Sequence, residues 1–318
     1  MKTLQTVLLI VLIVGVIAVT GTLIAVLSGK LKYEMFQVAN SVVLSDQRFE
    51  TNGIDAISVR VSSTDIEFRP SEDDEWRVVY KGPDSETKDP LIKASVESGS
   101  ITIKQRNQFM PTFFGVSRFV IVYVPNSFSG SVSFHCSSGD LDLTDDFNFS
   151  DFEYKVSSGD MTCKTLSASK LSIITTSGDI VCYTVSSPQY FIRTTSGDIG
   201  IGALTGDGSI EVTSGEIQID DYTGSGFLTT SSGDINLGLL EARGDISIRV
   251  TSGNVDVSVP EQIGLRLDLS VTSGDIDTDI ALNDAQVSNN ETKGTIGDDP
   301  ENLLQVKTTS GDIRIFSR

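Results

Sequence analysis

Ser-Gly-Asp followed by Ile, Leu or Met, or a close variant, recurs through the second half of this chain. Its glycines are Gly139, Gly159, Gly178, Gly197, Gly215, Gly233, Gly253, Gly274 and Gly311. Successive spacings are 20, 19, 19, 18, 18, 20, 21 and 37 residues. The last is about two periods, with Gly294 near its middle. A fixed period of this length is the signature of a repeat architecture.

Around each glycine the side chains alternate. Leu171, Ile173 and Thr175 precede Gly178, and Ile180 and Cys182 follow it; Ile246, Ile248, Val250, Val255 and Val257 do the same around Gly253. Period two over short β-branched runs means strands with one buried face. Ser-Gly-Asp between them is turn chemistry, since glycine permits positive φ and Asp or Ser bonds its own nearby backbone. The pattern predicts an all-β fold, a single-stranded β-solenoid (β-helix) of 18–21-residue coils, in which stacking builds one core that no coil could bury alone. About ten coils from Gly139 onward, about 4.8 Å apart, would make a rod roughly 45–50 Å long. An antiparallel sandwich is the alternative, but sandwiches rarely repeat a turn sequence so faithfully.

Residues 38–135 read as a less regular part of the same solenoid, and 136–318 as its regular part. Val61-Ser62-Ser63-Thr64-Asp65-Ile66 and Glu97-Ser98-Gly99-Ser100-Ile101 look like worn repeats. Solenoid ends must block further strand addition, and Lys307, Arg314 and Arg318 place charge on what the sequence order makes the final coil.

Upstream, Thr3 to Gly29 contains no charged residue. Val7 to Leu27 as helix would span about 31 Å, enough for a hydrocarbon core of about 30 Å. Leu27 spoils an Ala-x-Ala exit, so residues 1–32 read as a short cytoplasmic tail with an uncleaved transmembrane anchor rather than a signal peptide. Lys2 and the free amine balance Lys30 and Lys32, so the positive-inside rule is nearly a tie. The short tail before a large domain favours residues 33–318 as extracytoplasmic, in a single-pass protein of the cell membrane.

Composition narrows function. The formal charge is -19, with one histidine, His135. Such acidity speaks against nucleic acid as a partner, because phosphate affinity needs clustered Lys and Arg. A single imidazole removes most His-based metal sites.

At this point the chain resembles the bacterial putative-adhesin domain family, a domain of unknown function. The Ser-Gly-Asp-Ile turns, Val61–Ile66, and Val122-Tyr123-Val124-Pro125 leading into the repeats carry the likeness, over roughly residues 40–318. The resemblance implies one N-terminal membrane helix and, for some members, genes shared with cell-envelope stress-response systems. It carries over no catalytic residue.

Candidate sites are few. The carboxylates after the glycines form a column: Asp140, Asp160, Asp179, Asp198, Glu216, Asp234, Asp275 and Asp312, interrupted by Asn254. Like charges about 5 Å apart repel by about 1 kcal/mol in water-like surroundings, which invites Ca²⁺. The plainer reading is that each Asp caps its turn, since the Gly-Gly-x-Gly-x-Asp repeat of calcium β-rolls is absent. Arg243-Gly244-Asp245 reads as a turn variant rather than an integrin motif. Cys163 and Cys182 should stack in the core on successive coils, with Cys136 in another inward phase, and all three read as buried thiols. His135 should face solvent. The loop Phe109-Met110-Pro111-Thr112-Phe113-Phe114-Gly115 either caps the core or offers Phe109, Met110, Phe113 and Phe114 to a partner or the lipid surface.

Enzyme signatures are missing. Asp220-Asp221 and Asp277 with Asp279 could serve a β-helix polysaccharide-cleaving enzyme, yet a polyanionic substrate would meet the charge of -22 on residues 33–318. The expectation is a non-enzymatic, adhesin-like envelope protein with a structural or binding role, without cofactor unless Ca²⁺ fills the column. Its partner would be a cell-wall component or an envelope protein. The rivals are a signalling accessory contacting a membrane sensor through Phe109–Gly115, and a carbohydrate-active enzyme.

Overall fold

The computed structural model describes residues 41–106, 118–297 and 300–318. Among the described residues the regular elements are β-strands and one short 3-10 turn, Asp84–Glu86. No helix among the described residues is long and apolar enough to cross a membrane. The anchor expected at 1–32 lies outside them, as does the loop holding Phe109, Met110, Phe113 and Phe114.

Each repeat is one coil, a strand that bends and returns. In Ile180–Ser196 the buried positions are 180 and 182, then 185 and 187, then 190, 192 and 194. Side chains alternate strictly along a strand, so each skip in phase marks a corner. With the Ser-Gly-Asp turn as the third corner, the coil has three sides around a core. The coils pair in parallel and in register: Met161 with Ile180, Ile180 with Ile199, Ile199 with Ile217. One column of buried aliphatics, including Leu141, Ile180, Ile199, Ile217, Ile235 and Val255, runs through the stack. The solenoid reading holds.

The worn repeat at Val61–Ile66 is a true coil. Ala56–Ser63 pairs with Ser131–Ser138, and Ile66 lies against Leu141, so Thr64 occupies the glycine position. Below it stands another coil, Ser100–Gln105 and Phe119–Val124.

Three expectations fail. Glu97-Ser98-Gly99-Ser100 is not a coil corner: Ile92–Glu97 and Ser100–Gln105 pair antiparallel, and Ser98 (φ 49°) and Gly99 (φ 76°) form the tight turn of a hairpin. Two central residues with positive φ match the right-handed twist of a two-residue hairpin. Gly294 belongs to no coil either. It lies in Glu291–Ile296, which runs antiparallel to Leu265–Ser273, with Gly294 opposite Leu267.

The third failure concerns the end of the stack. Ile246–Ser252 pairs with 304–310, and Val255–Val259 with Ile313–Ser317. Asn302–Ser310 pairs on its other side with Leu265–Ser273. The order in space is therefore Gly253, Gly311, Gly274, and the last coil in sequence is inserted before the one preceding it. Lys307, Arg314 and Arg318 sit on an interior coil. Antiparallel strands close the stack instead: Glu291–Ile296 and Asn283–Val287 at this end, and Trp76–Pro83 with Ile92–Glu97 at the other.

Candidate functional site

The repeated turn is built from backbone contacts. Gly178 has φ +141°, and a Cβ there would lie 2.1 Å from the carbonyl oxygen of Gly159. Both the left-handed backbone and the approach of the next coil exclude any side chain. Gly178 N–H donates to Ser196 O at 3.1 Å, and Ile180 N–H to Asp198 O at 2.9 Å. Thr64 can stand at the equivalent place because it is not among the residues with positive φ.

Between these bonds runs a ladder of aspartates. Asp140 N–H donates to Asp65 Oδ1 at 3.1 Å, Asp160 to Asp140 at 2.9 Å, Asp179 to Asp160 at 2.9 Å, and Asp198 to Asp179 at 2.8 Å. Glu216 N–H follows onto Asp198 Oδ1 at 2.8 Å. Glu216, one methylene longer, takes the side-chain amide of Asn236 instead. The ladder resumes with Asn254 N–H on Asp234 Oδ1, Asp312 N–H on Asn254 Oδ1 and Asp275 N–H on Asp312 Oδ1, at 2.7–2.9 Å. Asn254 does not break the column, because Asn carries the same Oδ1 acceptor as Asp.

One oxygen of most column members is thus held by the amide of the next coil. Among the described residues no group of three or more His, Cys, Asp or Glu side chains could hold a metal ion. The expectation that each Asp caps its own turn fails: the Oδ1 atoms of Asp140, Asp160, Asp179, Asp198 and Asp234 each accept an amide from the neighbouring coil.

A second ladder went unseen in the sequence. At another corner a Cβ on Gly224 would lie 1.8 Å from Gly206 O, and Asp207 Oδ1 accepts from Ser225 N–H at 2.9 Å. The signal was there, 18 residues apart, in Thr205-Gly206-Asp207-Gly208 and Thr223-Gly224-Ser225-Gly226. Arg243-Gly244-Asp245 extends this ladder rather than the Ser-Gly-Asp one. Asp245 Oδ1 accepts from Leu303 N–H at 2.9 Å, and Arg243 pairs with Glu241 at 3.1 Å. Both charged ends are occupied.

The acidic pairs do not converge. Asp221 pairs with Arg318 at 2.8 Å, and Asp277 lies in register with Arg314. They belong to coils four steps apart, about 19 Å at the strand spacing. The acidic cluster that does form is Glu67 with Asp142, in register on adjacent coils. Glu67 is buried and holds Arg69 through two bonds of 2.5 and 2.8 Å. Burial pushes Asp142 up to about 6; the Thr162 hydroxyl bond lowers it, the Glu67 charge raises it and Arg69 lowers it.

His135 is about one-third exposed beside Glu153, at 3.4 Å. Cys163 and Cys182 stack as expected, but as a disulfide rather than as thiols, and Cys136 is a buried free thiol. Parallel in-register strands bring the two Cα atoms to 4.5 Å, inside the range a disulfide spans.

Coils, turn ladders and paired ends define a parallel β-solenoid of one repeated turn, with no assembled catalytic group among its described residues. The chain belongs to the Toastrack family, DUF4097, whose model matches residues 54–316. Similar solved structures include a putative adhesin from Bacteroides fragilis (14% identity, 87% of this chain and 97% of that one, TM-score 0.49). Another is a putative adhesin from Parabacteroides distasonis (13%, 86% and 96%, TM-score 0.44). A third, from the same organism, is a putative lipid binding protein (15%, 87% and 97%, TM-score 0.36). No curated protein matches the chain.

Proposed function

We propose that the protein is a non-enzymatic, adhesin-like element of the cell envelope, held by residues 1–32 as a single-pass anchor. Residues 33–318 would stand outside the membrane as one solenoid with a structural or binding role toward a wall component or another envelope protein. The carrying observation is the in-register stack. Along the paired sides, outward positions become straight columns of side chains, which suits recognition of a long ligand better than chemistry at a point. The Cys163–Cys182 bridge supports placement in an oxidising compartment.

The test compares cells making the full chain with cells lacking it, for retention on a surface coated with purified wall fragments. Protease is then added outside intact cells. Retention that depends on the chain, and disappears as the domain is shaved off, is the expected result. Retention equal in both strains, or a domain that external protease cannot reach, overturns the reading.

A further inference from the structure

The net charge of -19 conceals a segregation that only the coil register shows. Four residues before each turn glycine, the outward side chains form a column along one side of the solenoid. From the capped end, Lys93, Lys104, Arg60, His135 and Lys155 follow in register. Ile174, Arg193, Glu211 and Thr229 continue it, then Arg249, Lys307 and Ser270, with Glu291 opposite Ser270 on the closing antiparallel strand. Seven of the chain's 24 lysines and arginines thus share one row with two acids, Glu211 and Glu291.

Acids in and beside the row pair with several of its cations. Glu97 pairs with Lys104 at 2.9 Å, Glu153 with Lys155 and His135, and Glu211 with Arg193. Lys93 and Arg60 near one end, and Arg249 and Lys307 near the other, have no ion pair among the described residues. The aspartate ladder lies five residues further along each coil and round a corner. Three residues of strand alone put about 10 Å between the columns, beyond a Debye length of about 8 Å at physiological salt. The row therefore keeps its own local sign.

Its neighbours are hydroxyls. Two residues before each glycine, every coil from Ser62 to Thr272 carries Ser or Thr, exposed throughout. Arg249 and Lys307 flank a shallow groove of about 480 Å³ to which Thr229, Ser231, Thr251 and Thr309 contribute. The exposed Phe227 stands on the far side of the row, and Phe191, two coils away, carries the Arg193 guanidinium over its ring at 5.0 Å. Cations in line, hydroxyls beside them and an exposed aromatic face at Phe227 match a sugar chain carrying acidic groups. A lipid surface would ask for a continuous apolar face instead.

We propose that this side of the solenoid binds a linear acidic polysaccharide lying along the stacking axis, with Arg249 and Lys307 as its main anion subsite. The proposal rests on the adhesive reading above and names its ligand class.

The full chain in detergent micelles is tested by interferometry against immobilised polygalacturonate, with neutral pullulan and phosphatidylglycerol vesicles as comparators. Polygalacturonate should bind, about tenfold or more weakly at about 500 mM than at about 50 mM NaCl. Arg249→Glu with Lys307→Glu should weaken binding about tenfold or more, while Lys164→Glu with Arg243→Glu, the same charge change on other faces, stays within about twofold. Thermal melting checks the fold of each variant. If the first variant does not fold, acylation of the wild type decides: the polymer should shield Lys307 and Lys93 but not Lys164. Absent binding, equal loss in both variants, unshielded Lys307, or pullulan or vesicles bound as tightly overturns the proposal. Cells still retained on wall fragments in that case would leave the adhesive reading standing; loss of both results removes both.

Discussion

Asp179 Oδ1 shows how one atom per coil carries the repeat: it receives the amide of Asp198 in the next coil at 2.8 Å. Asp179→Ala removes that acceptor and should cost about 1–2 kcal/mol in denaturant unfolding. Asp179→Asn keeps Oδ1, as Asn254 does naturally, and should cost less than half as much. Asp142 behaves differently, because burial raises its pKa to about 6. A carboxyl whose folded pKa is raised holds its proton longer folded than unfolded. The folded state is then favoured below about pH 4, and that advantage is lost as pH rises through about 6. Asp142→Asn should therefore stabilise the protein at pH 7 by on the order of 1–2 kcal/mol, allowing for partial exposure, and change nothing at pH 4. Unfolding curves at the two pH values check this; equal shifts at both would remove the argument. Sequence spacing found the aspartate column. It could not find Glu67 beside Asp142, because those residues are 75 positions apart and meet only through coil stacking.

At the scale of the element, the coil was legible because its turn chemistry is local. Glycine at positive φ and an Asp acceptor announce a corner wherever they occur. The same locality misled at Ser98-Gly99, since Ser-Gly serves a two-residue hairpin equally well, and what separates them is whether the flanking strands pair with each other. The C-terminal crossing was likewise invisible: Gly253, Gly274 and Gly311 have equivalent turns, so nothing local says which coil lies on which. The crossing has a measurable consequence. A solenoid normally frays from its terminal coil, yet here Asn302–Ser310 is paired on both sides. Amides of Leu304, Val306 and Ile313 should exchange more slowly than those of Ile276–Thr278, although they lie nearer the chain end. Faster exchange in Asn302–Ser310 would contradict the observed order.

For the whole molecule, a column of ten stacked turns and a shared core make stability a sum over neighbouring coils, stapled once at Cys163–Cys182. Under denaturing conditions without reductant the chain should take up one alkyl group, at Cys136, and three after reduction, by intact mass. Reduction should lower stability by about 2–3 kcal/mol, as expected for a loop of this length. Three alkyl groups before reduction would dismiss the bridge. By itself the sequence determined the all-β class, the coil length, the three-residue turn, the inward positions and the aspartate column. All of these follow from side-chain alternation and glycine stereochemistry within about 20 residues. Only the tertiary structure decided the order of the last two coils, the disulfide, the Glu67–Asp142 pair and the row of cations. Each depends on which residue of one coil lies 4.8 Å above which residue of another, and with near-identical coils that choice is set by stacking of the whole core rather than by any local signal.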